Sequence, residues 1–281
     1  MNLIEFYRES YLPMRLVGKS PGSLAGYAMA LRRWSQFSTA DIEQIDSRLL
    51  AGWQAWMLPG HSPATVNSYM RHVRAILNYA ASEEVGVLAR PPTIRMLREP
   101  RRSPLALTVE EFAAVLRMAE HEPNAPLWRA LLLTAWESGL RLRSLVSLRP
   151  VDVLFNSDGL YAQAEGMKNA VAQWFPLQPE TLQAIRTIYS LKNERLFTFR
   201  IAPRQIQRIM RRILDTSGIY APHGSGMCFH RLRKSKASYT KLAGGDATAA
   251  LGHSRPEITV RYLDPRICGQ AVCPPMPMPR F

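Results

Sequence analysis

Pro91, Pro92, Pro100 and Pro104 fall in one stretch, GVLARPPTIRMLREPRRSPLA, from Gly86 to Ala106. Proline has no amide hydrogen for the helical ladder, and its ring clashes with the preceding turn, so no continuous helix crosses this segment. The chain on either side is therefore read as two separately built parts. The expected organisation is a helical domain over 1–88, a basic Pro-rich linker over 89–106, a larger domain over 107–265 and a Pro-rich tail over 266–281.

The first part reads as helix. Ser20-Pro21 and Ser62-Pro63 each combine an N-cap hydroxyl with proline at the first helical position, where its missing N–H is harmless. After the second, Val66, Tyr69, Met70, Val73, Ile76 and Leu77 recur at helical spacing, with Arg71 and Arg74 on other faces. The second part opens at Thr108, where T-V-E-E is a capping box with Glu111. An apolar helix over about Leu127 to Ser138 ends at Gly139, a left-handed C-cap. One β-like region follows: Leu160 to Ala164 and Gln173 to Leu177 flank a turn with Gly166, Lys168 and Asn169. Further on, RIAPRQIQRIMRRILD puts Ile206, Ile209, Met210, Ile213 and Leu214 on one side of a helix. Arg204, Arg208, Arg211 and Arg212 lie on the other. The fold class is mainly α, with one small β-hairpin.

Charge narrows the function. Lys plus Arg number 36 against 22 Asp plus Glu, a formal net charge of +14. Such an excess concentrates polyanions around the surface and favours nucleic acid as partner. Arg71, Arg74, Arg101, Arg102, Arg204, Arg208, Arg211 and Arg212 are the candidate phosphate contacts. No stretch approaches the eighteen unbroken apolar residues of a membrane span, so no membrane role is expected. The N-terminus, MNLIEFYRES, carries Glu5 and lacks the apolar core of a secretory signal. Cys228, Cys268 and Cys273 are an odd number in a long chain, which fits a reducing compartment. Cytoplasmic residence is the expectation.

HRLRKSKASYTKLAGGDATAALGHSRPEITVRYLDP, from His230 to Pro265, holds two histidines, several arginines and a tyrosine at wide intervals. Cys228-x-His230 and Cys268-x4-Cys273 match no common zinc spacing, so no metal is expected. The Gly224–Gly226 G-S-G lacks the strand-to-helix frame of a nucleophilic serine. The residue types suit phosphoryl transfer without metal. Arginine forks can grip non-bridging oxygens, and a tyrosine can form a covalent phosphate ester that preserves the bond energy for rejoining. Only about one tyrosine in a thousand is ionised at neutral pH, so it needs cations or a base beside it.

Taken together, these motifs resemble the tyrosine recombinases, the phage-type integrases. SGLRLRSLVSLRPVDV is similar to the family's first arginine box, with Arg141 as its catalytic arginine. EGMKNAVAQWFPL resembles its β-hairpin, with Lys168 eight residues before Pro176. HRLR at His230 to Arg233 is similar to the H-x-x-R box, and LGHS at Leu251 to Ser254 to the second histidine box. Tyr262, nine residues after His253, stands where the family has its nucleophile. Residues 1–88 resemble the helical core-binding domain only in general character. Ser144, Arg231 and Lys234 depart from the residues common at those places.

The resemblance implies a site-specific recombinase that clamps duplex DNA and cuts and rejoins it through a 3′-phosphotyrosyl intermediate. It works as a tetramer on DNA, with no metal or other cofactor. Tyr262 is then the nucleophile, Arg141 and Arg233 hold the phosphate, and Lys168 protonates the leaving 5′-oxygen. His230 assists proton movement at the tyrosine, and His253 hydrogen-bonds the phosphate. A type IB topoisomerase-like relaxase and a catalytically inactive DNA-binding protein of the same fold are the alternatives.

Overall fold

The computed structural model describes residues 1–100, 103–167, 171–219 and 228–269. The chain divides into two compact units, Met1–Arg101 and Arg102–Phe281.

In the first unit, α1 (Leu3–Phe6) runs through a π turn at Tyr7–Tyr11 into α2 (Leu12–Arg15). Three longer helices follow: α3 (Pro21–Ser35), α4 (Ser47–Met57) and α5 (Pro63–Ala80). Ser20 and Ser62 cap α3 and α5 as the sequence predicts, accepting from the amides of Ser23 and Thr65. Trp34, Trp53, Met70, Val73, Ile76 and Leu77 are buried in a shared core. Arg71 and Arg74 are left exposed.

The extended stretch after α5 is held against this unit as far as Glu99. Ile94, Met96 and Leu97 pack against its core. Asn67, buried on α5, donates to Leu97 O at 2.9 Å and accepts from Leu97 N at 2.8 Å. A buried amide needs such partners, and proline-broken backbone has free groups to give.

The second unit begins with α6 (Val109–Ala119), and both bonds of the Thr108–Glu111 capping box are present. Next come α7 (Ala125–Ser138) and α8 (Leu142–Ser147). Leu127, Trp128, Leu131, Leu132 and Leu133 are all buried on α7, which makes it the central helix of this unit. Each such side chain contributes about 1.5–3 kcal/mol by leaving water. Gly139 closes α7 with φ at 62°. A side chain there would meet the Lys236 stem at 3.0 Å and Leu251 at 3.1 Å, so glycine serves both the backbone turn and the close approach.

A three-stranded antiparallel sheet follows, in the order β1 (Val153–Leu154), β2 (Gly159–Ala162), β3 (Gln173–Pro176). Leu160 faces Phe175 on the buried side, whereas Tyr161 and Trp174 pair on the exposed side. The strand predicted to reach Ala164 stops at Ala162, because 164–166 form a 3₁₀ turn. There Gly166 passes so close to Ser147 that a Cβ would lie 2.6 Å from its hydroxyl.

The remaining helices are α9 (Pro179–Ile188), α10 (Pro203–Thr216), α11 (Cys228–Leu242), α12 (Ala247–Ala250), α13 (Pro256–Val260) and α14 (Pro265–Cys268). On α10, Ile206, Met210, Ile213 and Leu214 are buried as the periodicity requires. The fold is mainly helical with one small sheet. Among the described residues, no helix is long and apolar enough to cross a membrane.

Candidate active site

Three segments bring the sequence-predicted residues together. Arg141 is the N-cap residue of α8, two residues beyond the Gly139 turn. His230 and Arg233 lie on α11, and His253 and Tyr262 lie in the loops that flank α13. Arg141, His253 and Tyr262 line one cleft of about 710 Å³ together with Val171, Gly252, Ser254 and Ile258. Gln173 at the start of β3 donates to the carbonyls of Ala249 and Ala250 at 3.2 and 3.1 Å. The hairpin is thereby fastened beside the segment that carries His253. Lys168 lies outside the described residues.

Arg233 is the buried centre of the arrangement, with 2% of its surface exposed. Its Nη1 donates to Gly139 O at 2.7 Å, and its Nη2 donates to Leu251 O at 2.6 Å and to His253 Nε2 at 3.1 Å. Its Nε is buried with no hydrogen-bond partner. Burial, reinforced by the neighbouring Arg141 guanidinium, lowers its pKa to about 10. It remains charged at neutral pH.

The Tyr262 hydroxyl lies 3.4 Å from His230 Nε2, and the Arg233 guanidinium carbon lies 5.9 Å from the centre of its ring. His230 and His253 are both pushed down to about 4, by burial first and then by the Arg233 and Arg141 charges. Both rings are neutral at pH 7, so His230 can accept a proton from the tyrosine. The site therefore offers a guanidinium, an imidazole and a phenol at one opening, with the buried Arg233 guanidinium and the neutral His230 ring beside the phenol. That set can hold an anionic phosphorus centre and deliver a phenolic oxygen to it.

A second ring of side chains holds the Tyr262 segment in place, and sequence reasoning missed it. Asp264, two residues beyond Tyr262, caps α14 and accepts from the Ala106 amide at 2.7 Å and from the Arg266 guanidinium at 2.9 Å. Burial alone would raise its pKa, but these bonds outweigh that and hold it below the ordinary carboxylate value. Ser238 on α11 accepts from Asp264 N at 2.8 Å, and Ser235 bridges α11 to Leu107 through both its amide and its carbonyl. Arg231 is 5% exposed and reaches Ala106 O at 3.0 Å and Glu111 at 3.6 Å. The departure at 231 thus places a buried cation beside the partly exposed capping glutamate of α6. The only local signal for any of this was Asp264-Pro265, an N-cap followed by proline.

The predicted DNA contacts fall into two groups. Arg74, Arg204 and Arg208 are exposed, and Arg211 is half-buried. Arg71 is paired with Glu99 at 3.0 Å, and Arg212 grips Glu122 with two bonds, at 3.3 and 2.5 Å. Arg101 and Arg102 lie outside the described residues. Among the described residues, no group of three or more His, Cys, Asp or Glu side chains is placed to hold a metal ion.

Residues 106–267 match the phage integrase family, and residues 2–92 match the phage integrase SAM-like domain. The chain belongs to the phage integrase family, and its class is that of the tyrosine-type site-specific recombinases. Tyrosine recombinase XerC of Pelobacter propionicus is 25% identical over 270 residues, which span 86% of this chain and 84% of that protein. The fold is like that of lambda integrase (75–356), solved as a dimer bound to a COC′ core site. The TM-score is 0.77 at 21% identity, covering 95% of this chain and 96% of that one. Lambda integrase solved as a tetramer bound to a Holliday junction gives 0.76 at 20% identity, covering 95% and 78%.

Proposed function

We propose that the protein cuts and rejoins duplex DNA at a specific site, with Tyr262 as the nucleophile. The observation that carries this reading is the Tyr262 hydroxyl 3.4 Å from neutral His230 and beside Arg233, within the cleft that Arg141 and His253 also line. The tyrosine oxygen attacks the scissile phosphorus as its proton passes to His230 Nε2. The bond from phosphorus to the 5′-oxygen breaks, leaving a 3′-phosphotyrosyl ester and a 5′-hydroxyl. Lys168 supplies the proton for that hydroxyl. Arg141 and Arg233 stabilise the charge on the non-bridging oxygens, and His253 hydrogen-bonds one of them. Attack by a 5′-hydroxyl reverses the step and rejoins the strand, so the bond energy is conserved and no nucleotide is consumed.

The convergence of Arg141, His230, His253 and Tyr262 within one chain supports cleavage by each protomer's own tyrosine. As part of this proposal, 1–88 is the DNA-clamping helical domain, 89–106 the linker, 107–265 the catalytic domain and 266–281 the tail. Arg71, Arg74, Arg101, Arg102, Arg204, Arg208, Arg211 and Arg212 contact phosphates, and the working form on DNA is a tetramer. The protein acts in the cytoplasm.

The test is single-turnover incubation with duplexes drawn from the DNA flanking the protein's own gene, each carrying a nick that traps the cleaved state. Wild type forms a covalent protein–DNA adduct, and Tyr262→Phe forms none. Specific retention of a duplex with no adduct from wild type would leave only a DNA-binding function.

A further inference from the structure

His253 is held by two side chains whose chemistry settles where its proton sits. Its Nε2 faces Arg233 Nη2 at 3.1 Å, and its Nδ1 faces Thr259 Oγ1 at 2.9 Å. A guanidinium has donors only, so Nε2 must be the acceptor. The neutral ring therefore carries its hydrogen on Nδ1 and gives it to the Thr259 hydroxyl. Thr259 is 4% exposed, and its own carbonyl accepts from the Tyr262 amide at 2.8 Å. Hydroxyl, imidazole and nucleophile are thus linked through one residue of α13.

This arrangement does not suit a bound phosphate. Nε and Nη2 form one edge of the guanidinium fork, the edge that grips an oxyanion with two parallel bonds. On Arg233 the Nε is unpartnered, and Nη2 gives one hydrogen to His253 and the other to Leu251 O. A phosphate gripped there competes with His253 for an Nη2 hydrogen, and where it takes that hydrogen Nε2 is left facing oxygen atoms that only accept. Nε2 must then carry a hydrogen, and because burial and the Arg233 and Arg141 charges oppose a cationic ring, Nδ1 gives up its own and accepts one instead. The ring takes up a proton at Nε2 and releases one from Nδ1 to solvent, with no change of net charge. Only a group able to both accept and donate can stay bonded to Nδ1 through this exchange, and a threonine hydroxyl does so by rotating its hydrogen.

We infer that Thr259 is a positioning residue whose hydroxyl switches from accepting to donating as phosphate binds, setting the tautomer with which His253 meets the substrate. This rests on the proposed reaction at the same site.

The experiment uses the full chain. In ¹⁵N-histidine-labelled free protein, the His253 resonances should show the hydrogen on Nδ1; a hydrogen on Nε2 would overturn the inference. Thr259→Val keeps the shape and removes the hydroxyl. It should lower the single-turnover rate of adduct formation about 10–100-fold, the loss seen when the outer partner of a functional histidine is removed, with duplex retention within about 2-fold. Thr259→Ser restores the hydroxyl and should restore most of the rate even if the valine variant folds poorly. A wild-type rate from Thr259→Val, or failure of Thr259→Ser to recover activity in a folded protein, sinks the idea. If wild type itself forms no Tyr262-dependent adduct, the proposed reaction fails instead, and the tautomer measurement still decides the pairing of Thr259 with His253.

Discussion

The Ala106 amide donates to Asp264 Oδ2 at 2.7 Å, joining the entry of the second unit to the residue two places beyond its tyrosine. Asp264 is 1% exposed; its carboxylate also accepts from Arg266, and its backbone amide donates to the Ser238 hydroxyl. Asp264→Ala leaves a buried amide without its acceptor and frees the segment after Tyr262. Urea unfolding should show a loss of about 1.5–3 kcal/mol, the range for hydrogen bonds to a charged group. Adduct formation should fall further than duplex retention, because retention depends on phosphate contacts elsewhere.

Arg233→Lys tests the clamp. Lysine keeps a charge but cannot reach Gly139 O, Leu251 O and His253 together, as the planar fork does. Adduct formation should drop about 10²–10³-fold, as when one preorganised donor to a developing oxyanion is lost. Gel-shift affinity for the same duplex should change far less. Equal losses in both would assign Arg233 to binding alone.

The histidine pKa values set the acid limb of the pH profile. His230 and His253 sit at about 4 in the folded protein, against 6.5 for an unperturbed side chain. Adduct formation should hold through pH 6 and fall only as these rings gain protons near 4; a midpoint at 6.5 would contradict the burial argument. Stability follows the same groups. Between 6.5 and about 4 the unfolded chain binds protons that the folded chain does not, so stability falls as pH drops through that window. The urea midpoint should therefore shift downward from pH 7 to pH 4.5, and the shift should shrink in His230→Gln.

The arginines of α10 should separate by salt dependence. Arg212 is already paired with Glu122, whereas Arg208 is exposed. Each phosphate contact contributes about 0.9 to the slope of log affinity against log salt. Arg208→Ala should reduce that slope by roughly one contact, and Arg212→Ala by much less. The reverse ranking would place the phosphate track on the Arg212 side of the helix.

Local patterns made much of this molecule readable in advance. The Thr108 capping box, the Gly139 turn and the apolar faces of α5, α7 and α10 depend on neighbours within a few residues. The convergence of Arg141, Arg233, His253 and Tyr262 was legible only because several motifs stood in a recognisable order. Thr259, Asp264, Ser235 and Arg231 were not legible, because their roles depend on partners brought close by the tertiary fold. Ser and Thr suit many exposed positions equally well, and nothing around Arg231 announces that it is buried against Glu111. The strand end at Ala162 rather than Ala164 has the same origin, since the backbone turns where Gly166 meets Ser147.

The bond between Ala106 and Asp264 spans 158 positions of the chain. A ribosome makes Ala106 early and Asp264 only after nearly the whole second unit. Domains generally fold as units, the N-terminal one first, so the second unit cannot close its clasp on the tyrosine segment until Asp264 has been made. The capacity to cut arrives with the last turns of the domain, at the moment the fold can also hold the broken end.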